Sequence, residues 1–337
     1  MKVAIIGAGL SGLSAALLLQ QWQSGSSELV IHVFEKSKGP GGRMATRRTP
    51  AGIAVDTGCQ FLSIDDPSLR EFFFSQVSKE DYQELPLPIF CLPDGFIVDP
   101  DRRYYFGAGM TTWPKKAVQK LQAQLGQNFR IEFDHKVEDL AKLADYDVIF
   151  VSAPLPQARE LGSVGDVEYH PCLTLLFHWD NPPEDAQDYF AFRDISSREG
   201  VVWLSHEGMK RGHRGLWLAQ VSARSSKTWF ESAKSLDEFE DLLQNDIRAW
   251  VPRFQQGEKT VIDTKYWRYA FPVPLEDVPE DAPFEKQTQG SQSIFYIGDG
   301  FRGVGRAENA LESAVAAVKN LLGKDSAPTV LRKKMNK

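Results

Sequence analysis

Gly7-Ala8-Gly9-Leu10-Ser11-Gly12, close to the N-terminus, has the spacing G-x-G-x-x-G. In a strand–turn–helix context each glycine has a separate task. Gly7 allows the tight turn, Gly9 lets backbone approach a pyrophosphate, and Gly12 lets the helix pack closely on the strand. The diphosphate then sits at the helix N-terminus, on the N–H groups around Leu10 and Ser11. Glu35 follows Gly12 at the distance where an acid accepts hydrogen bonds from a ribose. The next residues, Lys36-Ser37-Lys38-Gly39-Pro40-Gly41-Gly42-Arg43-Met44, form a glycine-rich loop, and its Arg43 could neutralise a second phosphate. The alternative for this loop is a solvated basic segment. The chemistry these residues suit is dinucleotide binding, and the fingerprint alone does not separate NAD from FAD.

Other chemistries find little support. The three cysteines, Cys59, Cys91 and Cys172, are widely spaced with no C-x-x-C, and the six histidines are not paired at metal-ligand spacing, so no metal site is expected. Gly9-Leu10-Ser11-Gly12 is one residue short of a G-x-S-x-G nucleophile elbow. Gly298-Asp299-Gly300-Phe301-Arg302-Gly303 also fits G-x-G-x-x-G, but no further strand ending in an acid follows it. A second nucleotide domain is therefore not expected there.

The elements that must position these groups can be read from periodicity. Val3–Ile6 is an apolar β-branched run of the kind found in buried parallel strands, and it stops at Gly7. Residues 13–22 continue as an Ala/Leu-rich helix, and 29–34 read as a second strand ending at Glu35. Further strands are expected over 130–137, around 145–154 and at 293–297, and a helix over about 305–322. Residues 173–179, 200–205, 216–221 and 260–269 suggest an antiparallel sheet. Ser235 with Glu238 has the spacing of a capping box before a helix over 239–250.

The chain has 337 residues, 42% of them hydrophobic and 25% charged, with net charge −6. That length gives about two domains. The negative balance offers no general attraction to nucleic acid or anionic membranes. The N-terminal apolar run is read as strand, turn and helix rather than a signal peptide, and no stretch has the length of a membrane span. A cytoplasmic location is expected. Aromatic residues make up 11% of the chain, and most should be core.

With these motifs in order, the sequence resembles the two-dinucleotide-binding flavoproteins of the amine oxidase superfamily, and more narrowly its renalase-like members. The resemblance rests on Gly41-Gly42-Arg43-Met44, Asp56-Thr57-Gly58-Cys59-Gln60-Phe61, Gly107-Ala108-Gly109-Met110, Trp267-Arg268-Tyr269-Ala270 and the segment from Gly298 to Ala310. It implies an α/β fold: a Rossmann-like FAD-binding domain with an inserted mixed or antiparallel-sheet substrate domain. The FAD-binding part would comprise 1–60, about 106–160 and about 290–325. The substrate domain would comprise about 61–105 and 161–289, and 326–337 would be a flexible basic tail.

The resemblance further implies that Gly7, Gly9, Leu10, Ser11, Gly12, Glu35, Lys36, Gly42, Arg43 and Met44 hold the adenosine and diphosphate. Val137 would meet the adenine through its backbone, and Gly298 and Asp299 would lie near the ribityl chain. Arg306, Glu308, Asn309 and Ala310 would open a helix toward the flavin N1–C2=O edge. Ala314 departs mildly from related sequences, which often carry Gly there. Gln60 and Phe61 are expected beside the isoalloxazine, with Trp267 and Tyr269 on an opposite wall; ordinary core packing is the alternative for these rings. No cysteine lies in the C-terminal flavin segment where monoamine oxidases attach FAD, so the cofactor is expected to be non-covalent.

The implied activity is an oxidase of isomeric 2-dihydro and 6-dihydro NAD(P), with flavin N5 as hydride acceptor and O2 reduced to H2O2. No side chain stands out as a catalytic base, and a dihydropyridine that loses hydride becomes an aromatic pyridinium without one. An amine oxidase, a desaturase-like dehydrogenase and a non-catalytic flavin-binding module are the alternatives.

Overall fold

The computed structural model describes residues 1–22, 28–49, 51–98, 102–163, 165, 167–196, 199–250, 257–273, 283–303 and 305–323. Its six-stranded sheet has the order Phe129–Glu132, Val30–Phe34, Lys2–Ile6, Val148–Val151, Gln292–Ile297, Phe284–Gln289. The first five strands are parallel, and Phe284–Gln289 closes the edge antiparallel to its neighbour. Ile5 is central, paired with Val33 on one side and Phe150 on the other.

Alternation along these strands makes two cores. Val3, Ile5, Ile31, Val33, Phe150 and Phe295 face the helices Leu10–Trp22, Thr112–Leu125 and Ala307–Leu322. Ala4, Ile6, Phe34, Ile149, Val151 and Tyr296 face the opposite layer with Leu155 and Tyr169. Both faces are covered, which is why the central strands Lys2–Ile6, Val30–Phe34 and Val148–Val151 are almost wholly apolar. The helix Pro67–Phe74, from the 61–105 segment, also buries Leu69, Phe72 and Phe73 in the first of these cores. Asp66 caps it by accepting from the N–H groups of Ser68 and Leu69.

A seven-stranded sheet has the order Lys259–Pro272, Tyr169–Trp179, Leu216–Val221, Val201–Ser205, Ala191–Asp194, Ile89–Leu92, Phe96–Val98. Only Ala191–Asp194 and Ile89–Leu92 run parallel, so the sheet is mixed. Leu173, Leu175, Phe177, Trp217 and Ala219 meet Phe239, Leu243 and Ile247 of the helix Leu236–Trp250 on one face. The architecture is thus α/β Rossmann-like with an additional mixed-sheet unit.

Several boundaries differ from the sequence expectation; the strand expected over 173–179 starts at Tyr169 and the helix expected over 239–250 starts at Leu236. The strand expected over 130–137 ends at Glu132, because Asp134 turns the chain with φ 55°. The N–H groups of Asp134 and His135 then donate to the carbonyls of Ser37 and Glu35, laying this segment along the end of the second strand. The strand expected over 260–269 runs longer, Lys259–Pro272. At the capping box, Ser235 Oγ accepts from the Glu238 N–H, but the Glu238 carboxylate accepts from the Lys234 N–H rather than that of Ser235. The tail 326–337 lies outside the described residues. Among the described residues, no helix is long and apolar enough to cross a membrane.

Candidate functional site

At the first turn the Gly7 N–H donates to the Phe34 carbonyl, joining strand ends. A Cβ on Gly12 would stand 2.2 Å from the Gly7 carbonyl oxygen and 2.6 Å from Ser152 Oγ, so only glycine fits where helix meets strand. Gly9 differs: a Cβ there would meet nothing within 4 Å. Packing does not require glycine here, and the backbone at Gly9 is left open to close approach. Gly41 N–H donates to the Ala8 carbonyl, and the Gly9 Cα lies 3.7 Å from the position of a Gly42 Cβ. The two glycine loops therefore face each other across a bare strip of backbone.

Glu35 is buried, and both its carboxylate oxygens accept main-chain N–H bonds, Oε2 from Ala8 at 2.7 Å and Oε1 from Ser37 at 2.8 Å. It shapes the turn and keeps a spare lone pair on each oxygen for a hydroxyl donor. Lys36 donates to Gln157 Oε1, and burial lowers its ammonium pKa. Leu10 and Met44 are core residues, so contact with a ligand there must come from backbone. Val137 packs against the core cluster that contains Ile6 and Phe34.

Arg43 does not stand free as a phosphate partner. Its guanidinium donates to the Ala270 carbonyl at 2.8 Å and to Asp299 Oδ1 at 2.5 Å. It thereby joins the second glycine loop, the Gly298-Asp299 turn and the long strand of the second sheet. Its own carbonyl accepts from the Cys59 N–H, and a Cβ on Gly58 would stand 2.3 Å from that oxygen. Gly298 N–H donates to Ser313 Oγ, and a Gly298 Cβ would meet nothing within 4 Å. Residues 299–302 form one short 3-10 turn, and the helix begins at Ala307.

At the start of that helix the expected cofactor residues have protein partners. Glu308 Oε1 accepts from the Asp66 N–H, and Arg306 reaches Asp65 at 3.4 Å. These side chains tie the helix to Pro67–Phe74. Ala310 is buried and Asn309 half-buried. The first-turn N–H groups receive no side-chain cap from Arg306.

The segment Asp56–Phe61 meets the long strand directly. Trp267 Nε1 donates to the Thr57 carbonyl at 3.1 Å, and the Trp267 ring lies 3.2 Å from where a Gly58 Cβ would be. Tyr269 stands further along the strand, edge-on to Tyr169. Phe61 packs with Phe190 and Trp203, in a cluster with Leu85 and Ile89. Trp267 thus meets the Thr57–Gly58 turn, whereas Phe61 and Tyr269 spend much of their surface on neighbouring core. Cys59 offers no nucleophile: burial pushes its thiol up to about 12.

Beneath this segment lies a buried charge quartet. Asp56 Oδ2 takes Lys210 Nζ at 2.9 Å and Arg211 at 2.6 Å, and Glu207 takes Lys210 at 2.7 Å and Arg211 at 2.9 Å. Asp56 Oδ1 accepts from Thr46 Oγ1 and from the Met110 N–H, which anchors the Gly107–Met110 motif. Burial alone would raise the Asp56 pKa, but Lys210 and Arg211 outweigh it and hold the carboxyl below its usual range. Lys210 also donates to the Gln60 carbonyl. Sequence reasoning missed Glu207, Lys210, Arg211 and Trp203; the spacing of the first three is that of ordinary surface helix pairs.

The open backbone at Gly9 and Gly298 and the buried Glu35 carboxylate at the end of the second strand suit a dinucleotide such as FAD. A sequence profile for the family described as NAD(P)-binding Rossmann-like domain matches residues 5–75. Among solved structures, the chain is similar to reduced UDP-galactopyranose mutase at 12% identity, with TM-score 0.69 and 98% of each chain covered. It is also similar to an oxidoreductase from Methanosarcina mazei, at 11% identity and TM-score 0.65, over 95% of this chain and 100% of that one. A Pyrococcus furiosus protein matches at 13% identity and TM-score 0.59, over 95% and 97%. These likenesses carry the fold along nearly the whole chain.

Proposed function

We propose that the chain is an FAD-dependent oxidoreductase of renalase-like type that oxidises isomeric 2-dihydro and 6-dihydro NAD(P) to NAD(P)+. The observation that carries this reading is the meeting, through Arg43, of the Gly39–Met44 loop, the Gly298-Asp299 turn and the strand bearing Trp267. Support also comes from the Rossmann-like match and from the fold shared with an oxidoreductase. In this reading Gly9 and Gly42 admit the diphosphate, Glu35 holds the ribose, and Trp267 flanks the ring of the substrate.

Bound here, FAD would accept hydride at N5 and pass the electron pair to O2, giving H2O2. The charged groups at the junction are committed to one another: Arg43 to Asp299, and Lys210 and Arg211 to Asp56 and Glu207. A side chain so paired is poorly placed to abstract a proton. A dihydropyridine suits such a site, because its C–H bond breaks with the electron pair and the ring becomes aromatic with no proton taken by the protein. An alkylamine, which must lose a proton on oxidation to an imine, suits it less.

The test is the visible spectrum of the purified chain, with flavin bands at roughly 380 and 450 nm, before and after anaerobic addition of each isomer. Bleaching by 2-dihydro or 6-dihydro NAD(P), with colour and H2O2 returning in air, is the expected result. Bands that bleach with amines and with neither isomer would overturn the substrate. Acid precipitation should release the flavin into solution.

A further inference from the structure

Asp263, Lys265 and Trp267 alternate onto one face of the strand Lys259–Pro272, where they pair with Leu176, Thr174 and Cys172. That face meets the N-terminal segments. Arg47 Nε lies 2.6 Å from Asp263 Oδ2, and the Thr57 carbonyl accepts from both Thr174 Oγ1 and Trp267 Nε1. The strand is an edge of its sheet, and Lys265 and Trp267 both keep surface open to solvent.

Lys265 is a half-buried cation with no carboxylate to neutralise it among the described residues. The acid next to it on this face, Asp263, is taken by Arg47. Its ammonium rests instead over the Trp267 ring, 5.1 Å from the centroid. Such a contact is weaker than a charge-assisted hydrogen bond to a phosphate, so the ammonium is free to pass to one. Arg47, Asp263 and Lys265 together carry one net positive charge.

We infer that Lys265 is the specificity-determining cation for a dinucleotide substrate, its ammonium binding the diphosphate while the nicotinamide ring lies at Trp267. This rests on the function proposed above, in which Trp267 flanks that ring. One same-face step along a strand is about 7 Å, the span of the ribose that joins a nicotinamide ring to its phosphate. In the same reading the FAD diphosphate lies at Gly9 and Gly42, which leaves Lys265 for the substrate. An amine or an apolar polyene brings no anion to this cation, whereas a dinucleotide brings its diphosphate.

The experiment uses the full chain with K265M and K265R. Each is mixed anaerobically with the dihydro isomer that bleaches the unsubstituted chain, as the dinucleotide and as the riboside, which carries the same ring without phosphate. The concentration dependence of bleaching gives an apparent Kd and a limiting rate. FAD affinity is read by titrating apoprotein.

K265M should weaken the dinucleotide about tenfold, the loss of one charge-assisted hydrogen bond, with the effect in Kd rather than in the limiting rate. K265R should recover most of it. The riboside should bind K265M and the unsubstituted chain alike, and added salt should weaken the dinucleotide less in K265M. A dinucleotide Kd in K265M within twofold of the unsubstituted value overturns the role of Lys265 and leaves the proposed function standing. So does an equal loss for dinucleotide and riboside, which would make Lys265 a prop for Trp267, and so does a loss confined to FAD affinity. An unsubstituted chain that binds no flavin, or is bleached by neither isomer, overturns the proposed function and this inference with it.

Discussion

Arg43 and Asp299 are 256 positions apart in sequence and 2.5 Å apart in space. The carboxylate is almost wholly buried, while the guanidinium is about one-third exposed. Removing the cation strands a buried anion, which costs about 3–5 kcal/mol when both partners are deeply buried. Solvent reaching Arg43 reduces this, so R43A should lose about 2 kcal/mol, read as a lower urea midpoint at unchanged slope. R43K should recover only part, since a point charge cannot match a planar fork that serves both Asp299 and the Ala270 carbonyl. In the R43A/D299N pair the losses should be less than additive. Midpoints equal to that of the unsubstituted chain would show that the clamp contributes nothing.

The glycines of the first turn should separate by function. A Cβ at Gly12 collides with the Gly7 carbonyl, so G12A should melt well below the unsubstituted chain, by several degrees at least. A Cβ at Gly9 meets open space, so G9A should melt within about a degree of it. Its defect should instead be a loss of FAD affinity of tenfold or more, because the methyl group occupies the path of the diphosphate. If G9A loses stability as G12A does, the open space beside Gly9 is not a ligand path.

This contrast shows what could be read in the sequence. Strand, fingerprint, helix and terminal acid are contiguous, and each obeys a local rule, so Lys2–Phe34 was legible almost to the residue. The later strand Gln292–Ile297 and the helix Ala307–Leu322 were legible for the same reason. The site depends on longer connections. Glu207, Lys210 and Arg211 carry the spacing of a solvated helix face, yet they lie on a short 3-10 turn buried under Asp56, 151 positions away from the first of them. Nothing local marks them as buried. Arg43 was expected beside a phosphate, and its pairing with Asp299 was not legible, because pairing across the chain leaves no periodic trace. Glu308, expected at the cofactor, caps the approach of a helix that the sequence reading did not identify.

The quartet itself should be fragile to removal of one member and tolerant of none. Lys210 is fully buried and serves Asp56, Glu207 and the Gln60 carbonyl at once. K210M leaves two carboxylates to share Arg211, and the expected loss is about 3–5 kcal/mol. Unfolding in urea measures it directly. K210R should not rescue fully, because the larger planar head must fit a pocket closed on every side. A K210M chain as stable as the original would mean that one carboxyl of the quartet becomes protonated at little cost; an unfolding midpoint that rises as pH falls would reveal it.

His206 supplies a pH dependence with a definite sign. It is buried, stacks on Trp217 at 4.7 Å with planes 5° apart, and donates from Nε2 to the Arg214 carbonyl at 2.8 Å. Burial lowers its pKa below 6.5, with the Arg214 bond opposing. Above pH 6.5 the ring is neutral in both folded and unfolded chains, and its stabilising contribution is complete. As pH falls below 6.5 the unfolded chain takes up a proton that the folded one refuses, so stability falls until the folded pKa is passed. The slope is at most about 1.4 kcal/mol per pH unit for each such imidazole. His32, also lowered chiefly by burial, acts in the same direction. Unfolding midpoints between pH 7.5 and 5 should therefore decline more steeply in the unsubstituted chain than in H206F, which keeps an aromatic ring on Trp217 but cannot titrate. The H32N/H206F chain should be flatter still. Parallel curves for all three would mean that neither imidazole resists protonation, and that the decline belongs to other groups.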